Sequence, residues 1–381
     1  MRRIVISGYY GLGNVGDEAV LAGMLSSLRI LDEGIEPVVL SGDPSATTAA
    51  HGVSSVDRYS PAAVVKSLRE ADLLISGGGS LLQDVTSLRS ALYYFGIILA
   101  AQALRTPVIV YAQGIGPLTR RSTRLLARVL LNRAKLITVR DAESAALLKL
   151  LGVTRPPIEL TADPSFALDA IDDDEATRAL AEAGMEPGRP LLGVSLRRWK
   201  VAPGWSEAVA EGIARAAADA GAVPVFLPMQ QAGDVGLSEE IAAAAGGGAI
   251  VFRQPPAPRL AKAIVGKMRA LIGMRLHALM FAAAMGVPAV ALSYDPKVAA
   301  FAGEMAGAMP VLDATAPDPT RIADAIGWTL ANRSSVERTL AARLPQWRRE
   351  AVRNARLALS LLGSTGTMAA ADESELSDVT Q

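Results

Sequence analysis

The sequence contains no cysteine, and this absence excludes disulfide bonds, thiolate zinc sites and every cysteine-based catalytic mechanism. Aromatic residues are also scarce, at 4% of 381 residues, and no basic strip is interleaved with them, so binding of single-stranded nucleic acid has little support. Neither sign of charge is in excess, because Lys plus Arg and Asp plus Glu both number 38. We therefore expect no nucleic-acid partner, and an anionic ligand must be met by a local patch of cations.

Long hydrophobic runs are lacking as well, although 50% of the residues are apolar. The uncharged run SALYYFGIILAAQAL has 15 residues, fewer than the roughly 20 that a membrane span needs. A second run, LHALMFAAAMGVPAVALSY, is broken by Gly286 and Pro288 into a helix, a turn and a strand. The N-terminal stretch MRRIVISGYYGLGN enters glycines after a very short apolar run, unlike a signal peptide. These features predict a cytoplasmic protein, at most peripheral to the inner face of a membrane.

What the sequence does contain is a repeated unit, in which a short apolar run ends in a glycine-rich or polar turn and a helical pattern follows. Six runs, from RRIVISG to PIELTADPS, precede an acidic connection, and five more follow it, from PLLGVSLRR to VPAVALSYD. This alternation predicts an α/β protein with two Rossmann-like parallel-sheet domains that face each other across a cleft. The predicted division is 1–170 for the N-terminal domain, 171–188 for a linker, 189–319 for the C-terminal domain, 320–362 for C-terminal helices and 363–381 for an acidic, disordered tail.

The turns after the strands are candidate walls of one ligand site, because parallel sheets bind ligands beyond the carboxyl ends of their strands. The first turn, GLGNVG, has the glycine spacing of a dinucleotide site. If the strand ends at Gly8, however, this loop is longer than in a dinucleotide site. The second strand also lacks the carboxylate at its end that binds the ribose in such a site. A tight turn that exposes helix-terminal amides is favoured, with Asn14 and Asp17 as its polar groups. Alternatively, Asp17 is an acidic residue that only stabilises the helix N-terminus.

Two further glycine turns offer unobstructed backbone amides. SGGGS contains Gly78 and Gly79 and is followed by Gln83 and Asp84 in the first turn of a helix, without the lysine of a nucleotide-binding P-loop. QGIGP adds the side-chain amide of Gln113. A ligand between these turns explains them better than separate packing requirements do, although packing remains an alternative.

Cations follow two strands of the pattern. Arg140 ends the fifth run, where it suits an anionic substrate; the alternative is a surface ion pair with Asp141 or Glu143. Lys297 lies beyond the last strand of the second series and adds a further cation.

Arg275 and His277 lie where the strand ALIG meets an apolar helix, so the helix N-terminus already favours anions there. A histidine two residues from an arginine at such a junction is a candidate acid or base. His51, the other histidine, is expected to be solvated in a loop.

Arg120, Arg124 and Arg128 recur every four residues and therefore share one helical face, in a segment without acidic residues. They are candidate contacts to an anionic membrane surface or a lipid diphosphate. The alternative is a solvated face.

Taken together, GYYGLGNVGDEAVL, LLISGGGSLLQDVTS, QGIGPL, TVRDAES, TADPSF, MRLHALMFAAAMGVP and YDPKV resemble the polysaccharide pyruvyl transferase family, in particular its cell-surface-anchoring (CsaB-like) branch. The resemblance implies a fold similar to two-domain (GT-B-like) glycosyltransferases. It implies transfer of pyruvate from phosphoenolpyruvate to two sugar hydroxyls as a cyclic ketal. In that branch the acceptor is a lipid-diphosphate-linked saccharide containing N-acetylmannosamine, used in cell-wall polysaccharide synthesis and S-layer anchoring.

The resemblance and the chemistry of the residues suggest the same roles. A small trianion needs clustered cations, so Arg140, Arg275 and Lys297, with Gly78 and Gly79, are the expected phosphoenolpyruvate contacts. His277 is the expected general acid and Asp17 the group that orients or deprotonates an acceptor hydroxyl. The expected acceptor contacts are Asn14, Asp17, Gln83 and Gln113. No cofactor and no metal are expected.

Two other functions fit the same cleft. A nucleotide-sugar glycosyltransferase of this fold commonly holds the ribose with a carboxylate on the helix after the second-domain junction, yet no acidic residue occurs from Met280 to Leu292. The second alternative is a non-catalytic sugar- or anion-binding protein.

Overall fold

The computed structural model describes residues 2–199, 203–246 and 248–363. Within them, thirteen strands form two sheets in which every pairing is parallel. The first sheet has the order β3-β2-β1-β4-β5-β6-β7 and the second the order β10-β9-β8-β11-β12-β13. The strands are β1 (Arg2–Tyr10), β2 (Ile35–Ser41), β3 (Ser54–Asp57), β4 (Leu73–Gly77), β5 (Val108–Gln113), β6 (Leu136–Val139), β7 (Ile158–Leu160), β8 (Leu191–Ser195), β9 (Val223–Phe226), β10 (Ile250–Val251), β11 (Ala270–Gly273), β12 (Ala289–Ser293) and β13 (Val311–Asp313).

Helices connect the strands and cover both sheets. They are α1 (Val15–Leu31), α2 (Pro44–His51), α3 (Pro61–Arg69), α4 (Leu88–Ala103), α5 (Arg121–Leu131), α6 (Ala142–Leu150), α7 (Asp173–Glu182), α8 (Trp205–Ala220), α9 (Gln231–Ala244), α10 (Pro258–Gly266), α11 (Leu276–Ala284), α12 (Pro296–Gly303), α13 (Pro319–Ala331) and α14 (Arg333–Ser360), with a short 3-10 helix at Pro164–Ala167. Polar side chains at the carboxyl ends of strands start several of them. Asn14 caps α1 and Asp141 caps α6 in this way.

The two parallel-sheet α/β units predicted from the sequence are confirmed. Strands β3 and β13 were not predicted, because each is short and partly exposed and lacks the apolar run of a central strand. The predicted end of β1 at Gly8 is wrong, since the strand continues past a register shift to pair Tyr10 with Ser41. The domain boundaries stay a prediction, and the predicted tail 363–381 lies, apart from Gly363, outside the described residues.

A shared hydrophobic core joins the two halves at the carboxyl ends of their strands. Val15 and Ala19 of α1 pack into the same cluster as Ala278 of α11 and Met229 of the second half, and the Val15 amide donates to the Met229 carbonyl at 2.8 Å. Helix α14 then returns to the first sheet and buries Ala355 there. No helix of the described ranges is long and apolar enough to cross a membrane.

Candidate functional site

A cleft of about 500 Å³ lies between the two halves, where the carboxyl ends of both sheets meet. Its size is that of an ordinary small-molecule site. The first half contributes Tyr9, Asn14, Gly16, Asp17, Gly79, Ser80, Gln83, Tyr94 and Arg140 to its walls, and the second half contributes Arg197, Trp199, Gln230, Arg275, His277, Tyr294 and Lys297. The cleft thus brings together most of the candidate residues that the sequence analysis named.

Asp163 is a buried carboxylate behind the cleft wall that contacts two residues of that wall. Its Oδ2 accepts a hydrogen bond from Nη1 of Arg140 at 2.6 Å and lies 3.5 Å from Nε2 of His277. Burial would raise the pKa of Asp163, but the His277 ring and the Arg140 guanidinium outweigh it and hold that pKa well below its usual range. One carboxylate therefore faces a cation of the first half and the imidazole of the second.

Arg140 is buried, so the alternative of an ion pair at the surface is wrong in its location, although Asp141 is within ion-pair distance. Besides Asp163, it donates from Nη2 to Ser80 Oγ at 3.1 Å. The Asp141 carboxylate that follows it caps α6 instead and is 3.9 Å from Arg140 Nε. The guanidinium is held at the cleft wall by side chains from two other turns.

His277 lies in the first turn of α11, and its ring fits against the start of α1. A Cβ atom on Gly16 would be 2.2 Å from His277 Nδ1, so only glycine leaves room for the imidazole. His277 Nε2 is buried and has no hydrogen-bond partner among the described residues. The ring is positioned by its packing against Gly16 and by its proximity to Asp163.

Arg275 immediately precedes α11 and is held by a carboxylate of α9. Its Nε and Nη2 donate to the two oxygens of Asp234 at 2.8 and 2.5 Å, and Nη2 also donates to Gln230 Oε1 at 3.3 Å. Such a two-point contact fixes the plane of the guanidinium. Gln230 in turn forms an isolated antiparallel bridge with Asn14, so the Arg275 site is connected to the first half.

Lys297, in the first turn of α12, extends across to the first half. Its Nζ donates to the Gly114 carbonyl at 3.2 Å, and Gly114 lies next to Arg140. Burial and the nearby Arg140 guanidinium lower the pKa of Lys297 to about 8. Lys297 and Arg140 therefore act on the same region of the cleft.

Asp17 faces the cleft from the first turn of α1. Removal from bulk water raises its pKa to about 6, although the charges of His277 and Arg140 oppose this. The Asn14 side chain caps the helix by accepting from the Gly16 and Asp17 amides, and a Cβ atom on Gly79 would be 2.5 Å from Asp17 Oδ1. The Asp17 carboxylate therefore lies between the turn after β1 and the turn after β4, in addition to its place in the first turn of the helix.

Several predicted placements are wrong. Gln113 is fully buried in the sheet and donates to the Ser76 carbonyl at 2.8 Å, so it does not line the cleft. Gly78 packs against the Tyr10 hydroxyl and does not line the cleft either. Gln83 does line it, from a loop rather than a helix.

Two further residues differ from expectation. Asp84 precedes α4, and its carboxylate accepts from the Thr119 amide at 2.8 Å and from Thr123 Oγ1 at 2.5 Å. Although burial raises it, these hydrogen bonds lower the pKa of Asp84 to about 2. His51 is not solvated in a loop. It is the last residue of α2, and its side chain is mostly buried, with Nε2 3.1 Å from the Glu18 carboxylate.

The sequence analysis missed a group on the second half that consists of Arg197, Trp199 and Tyr294. Arg197 Nη1 donates to the Tyr294 hydroxyl at 2.9 Å, and the Trp199 and Tyr294 rings are 4.7 Å apart. All three line the cleft. The one feature of the sequence that could have identified these three residues is that each follows a strand of the second sheet. Within the described ranges, no cluster of acidic or histidine side chains could hold a metal ion.

Comparison with known proteins identifies one matching family and several similar folds. The sequence model of a family described as polysaccharide pyruvyl transferase matches residues 14–296, whereas no curated protein matches the sequence significantly. The S. aureus MnaA–UDP co-structure has a TM-score of 0.69 at 12% identity and covers 96% of this chain and 99% of that one.

Two other solved structures are similar at comparable length. UDP-GlcNAc 2-epimerase from Neisseria meningitidis, bound to UDP-GlcNAc, has a TM-score of 0.63 at 12% identity and covers 94% of this chain and 100% of that one. A glycosyltransferase from Rickettsia africae has a TM-score of 0.61 at 10% identity, with 96% and 99% covered. At such identity the likeness shows the fold alone, which is GT-B-like.

Proposed function

The chain belongs to the polysaccharide pyruvyl transferase family, and from this premise we propose that it transfers pyruvate from phosphoenolpyruvate to two hydroxyls of a saccharide as a cyclic ketal. The observation that carries the proposal is the position of Asp163. Its Oδ2 lies 2.6 Å from Arg140 and 3.5 Å from His277, so a cation and a proton donor from different halves face one cleft. Such a site suits a small anion that must be protonated.

The donor is held by Arg140, Arg275 and Lys297. Phosphoenolpyruvate carries a carboxylate and a phosphate, and guanidinium groups whose planes are already fixed bind such groups without further ordering. Arg140 and Arg275 are each fixed by a buried carboxylate, Asp163 and Asp234. Gly79 lines the cleft nearby, where its backbone can approach the ligand closely.

The chemistry begins with a proton from the His277 imidazolium to the methylene carbon of the donor. The carbon–carbon double bond becomes a methyl group, and the carbon that bears the phosphate becomes an oxocarbenium-like electrophile. One sugar hydroxyl adds to this carbon and loses its proton to Asp17. A second hydroxyl then displaces phosphate, which leaves as hydrogen phosphate with the proton taken from Asp17. The second hydroxyl gives its own proton to the His277 imidazole as the ketal closes. Phosphoenolpyruvate and a diol are consumed, and the ketal and inorganic phosphate are formed.

The acceptor occupies the remaining walls of the cleft. Asp17, Asn14 and Gln83 offer carboxylate and amide groups from the first half, and Trp199 and Tyr294 offer aromatic faces from the second. Aromatic faces suit the apolar side of a sugar ring, and hydrogen-bonding groups suit its hydroxyls. Following the family resemblance, we propose a lipid-diphosphate-linked acceptor that contains N-acetylmannosamine, used in cell-wall polysaccharide synthesis in the cytoplasm.

The test is phosphate release from phosphoenolpyruvate against a panel of sugar diols. Transfer predicts stoichiometric phosphate and an acceptor whose mass has increased by one pyruvyl ketal, and it predicts that phosphoenolpyruvate raises the melting temperature. A melting temperature raised by UDP-sugars but not by phosphoenolpyruvate supports the glycosyltransferase alternative. Binding without phosphate release from any pair supports the non-catalytic alternative.

A further inference from the structure

Helix α4 carries an apolar face that no other part of the described chain covers. Its exposed positions are Arg89, Leu92, Gly96, Leu99 and Ala103, which are three or four residues apart and therefore lie on one side of the helix. Leu92 and Leu99 are each nearly half exposed. In a globular protein this kind of stripe normally faces the core, and here it faces outward.

Helix α5 adds cations and further apolar side chains to this region. Arg120 precedes its first turn, Arg124 and Arg128 lie within it, and all three side chains are exposed. Leu125 and Val129 lie beside them and are 60% and 48% exposed. The helix thus has an arginine row next to an apolar row.

The two helices form one continuous surface. Gln102 of α4 donates to the Leu130 carbonyl of α5 at 2.8 Å, and both helices bury their inner faces in the same core. We call this the α4–α5 surface and define it by Arg89, Leu92, Leu99, Arg120, Arg124, Leu125, Arg128 and Val129.

The charge of this region is of one sign. Between Asp84 and Asp141 the sequence has nine basic and no acidic residues, although the whole chain carries 38 of each. Two copies of such a surface would repel each other, which disfavours a dimer through it. A nucleic acid would meet the arginines but would leave the exposed leucines in water. An anionic lipid surface satisfies both, because arginines contact headgroups while leucines enter the acyl boundary.

The α4–α5 surface also adjoins the mouth of the cleft. Val85 and Ser87, just before α4, and Pro117, shortly before α5, line the cleft. The Asp84 carboxylate connects these two segments, because it accepts a hydrogen bond from the Thr119 amide. A ligand that emerges from the cleft at this edge meets the apolar surface directly.

We propose that the α4–α5 surface docks the protein on an anionic membrane and orients the cleft mouth toward the bilayer. The docking rests on the surface alone, whereas its use, delivery of a lipid-linked acceptor to the cleft, rests on the proposed function. The surface binds the headgroup region of the membrane, while the saccharide of the lipid-linked acceptor extends into the cleft.

The test is flotation of the whole chain with vesicles of phosphatidylglycerol and phosphatidylcholine, compared with phosphatidylcholine alone. No donor or acceptor is added, so the outcome is independent of pyruvyl transfer. We expect binding only to the anionic vesicles and release by salt. Arg124→Glu with Arg128→Glu should lower binding by about tenfold or more. Leu92→Asn with Leu99→Asn should lower it as well, since apolar insertion is lost.

The matched control is Arg178→Glu with Arg269→Glu, which makes the same charge change at exposed arginines elsewhere. It should keep nearly full vesicle binding, and thermal melting checks that every variant is folded. Equal loss in the control and test pairs, or no binding to anionic vesicles, overturns the proposal. Sedimentation without lipid tests whether a second copy of the chain covers the surface instead. If the parent sediments as an oligomer and Leu92→Asn with Leu99→Asn lowers its mass, the membrane proposal is overturned.

Discussion

Gly16 and His277 are in contact across the two halves of the protein, and a Cβ atom on Gly16 would lie 2.2 Å from His277 Nδ1. Gly16 belongs to the first turn of α1, whereas His277 belongs to the first turn of α11. The position of the proposed acid therefore depends on how closely the two halves approach. A substitution that adds one methyl group tests this dependence.

We expect Gly16→Ala to lower turnover by about tenfold or more, because the imidazole must shift away from Asp163 and a small displacement of a catalytic group is costly. Steady-state kinetics and a melting curve measure the effect. Gly327→Ala is the matched control, since open space surrounds this helical glycine, and there alanine should leave turnover unchanged. Turnover of Gly16→Ala equal to that of the parent would show that the ring position is unimportant.

The two histidines allow a paired test of the proposed acid. His277→Gln should lower turnover by about a hundredfold or more, while phosphoenolpyruvate binding measured by calorimetry changes little. His51→Gln should leave turnover near that of the parent, because His51 contacts Glu18 outside the cleft. Equal activity of the two variants would remove His277 from the mechanism.

Asp163→Asn should affect both stability and turnover. The loss of its charge removes the close carboxylate partner of the buried Arg140, which costs about 3–5 kcal/mol in the free energy of unfolding. Because the folded-state pKa of Asp163 is depressed, its stabilisation is present above the unfolded value of roughly 4 and is lost as pH falls below it. Urea unfolding at pH 7 and at acidic pH should therefore show the deficit shrinking as pH falls.

A double variant separates the two effects of Asp163. Asp163→Asn with Arg140→Met removes both buried charges and should recover much of the lost stability, since no unpaired cation remains. Turnover should stay low, because a donor contact and the group that faces His277 are both missing. Recovery of turnover together with stability would mean that Asp163 serves folding alone.

Asp17→Asn tests the raised pKa of the Asp17 carboxyl group, the proposed base for the acceptor hydroxyl. Because the folded-state pKa of about 6 exceeds the unfolded value of roughly 4, the carboxylate destabilises the fold increasingly as pH rises between these values. Asp17→Asn should then stabilise the protein by roughly 2–3 kcal/mol at pH 7 and little below pH 4. Its turnover should be low and should lack the rise near pH 6 that we expect for the parent. A parent profile that is flat through pH 6 would contradict the assignment of Asp17 as the base.

Much of this architecture could be predicted from the sequence, because buried parallel strands read as short apolar runs that end in glycines. Arg140, Arg275 and His277 could be named for the same reason, since strand ends meet at one edge of a sheet. Their partners could not be named. Asp163 and Asp234 lie 23 and 41 residues away from the arginines that they hold, so only the folded chain brings them together.

The wrong placements have equally local causes. Gln113 ends a strand, but the direction of its side chain is set by the pleat and places the amide in the core. His51 reads as a loop residue, yet it ends a helix next to Glu18, which its sequence neighbours do not reveal. The exposure of one face of α4 could not be predicted, because an apolar helix is interpreted as buried from sequence alone.

Lys297 gives the donor site its own pH dependence. Its pKa is lowered to about 8 by burial and by the Arg140 guanidinium, so the ammonium is charged at pH 7 and loses its charge as pH rises above 8. The affinity for phosphoenolpyruvate should therefore fall between pH 7.5 and pH 9, measured as a dissociation constant by calorimetry. Lys297→Met should bind the donor about tenfold more weakly at pH 7 and should not change across this range. Lys149→Met, at an exposed lysine outside the cleft, is the control and should keep the parent profile. A parent dissociation constant that does not change up to pH 9 would show that the donor anion is bound without Lys297.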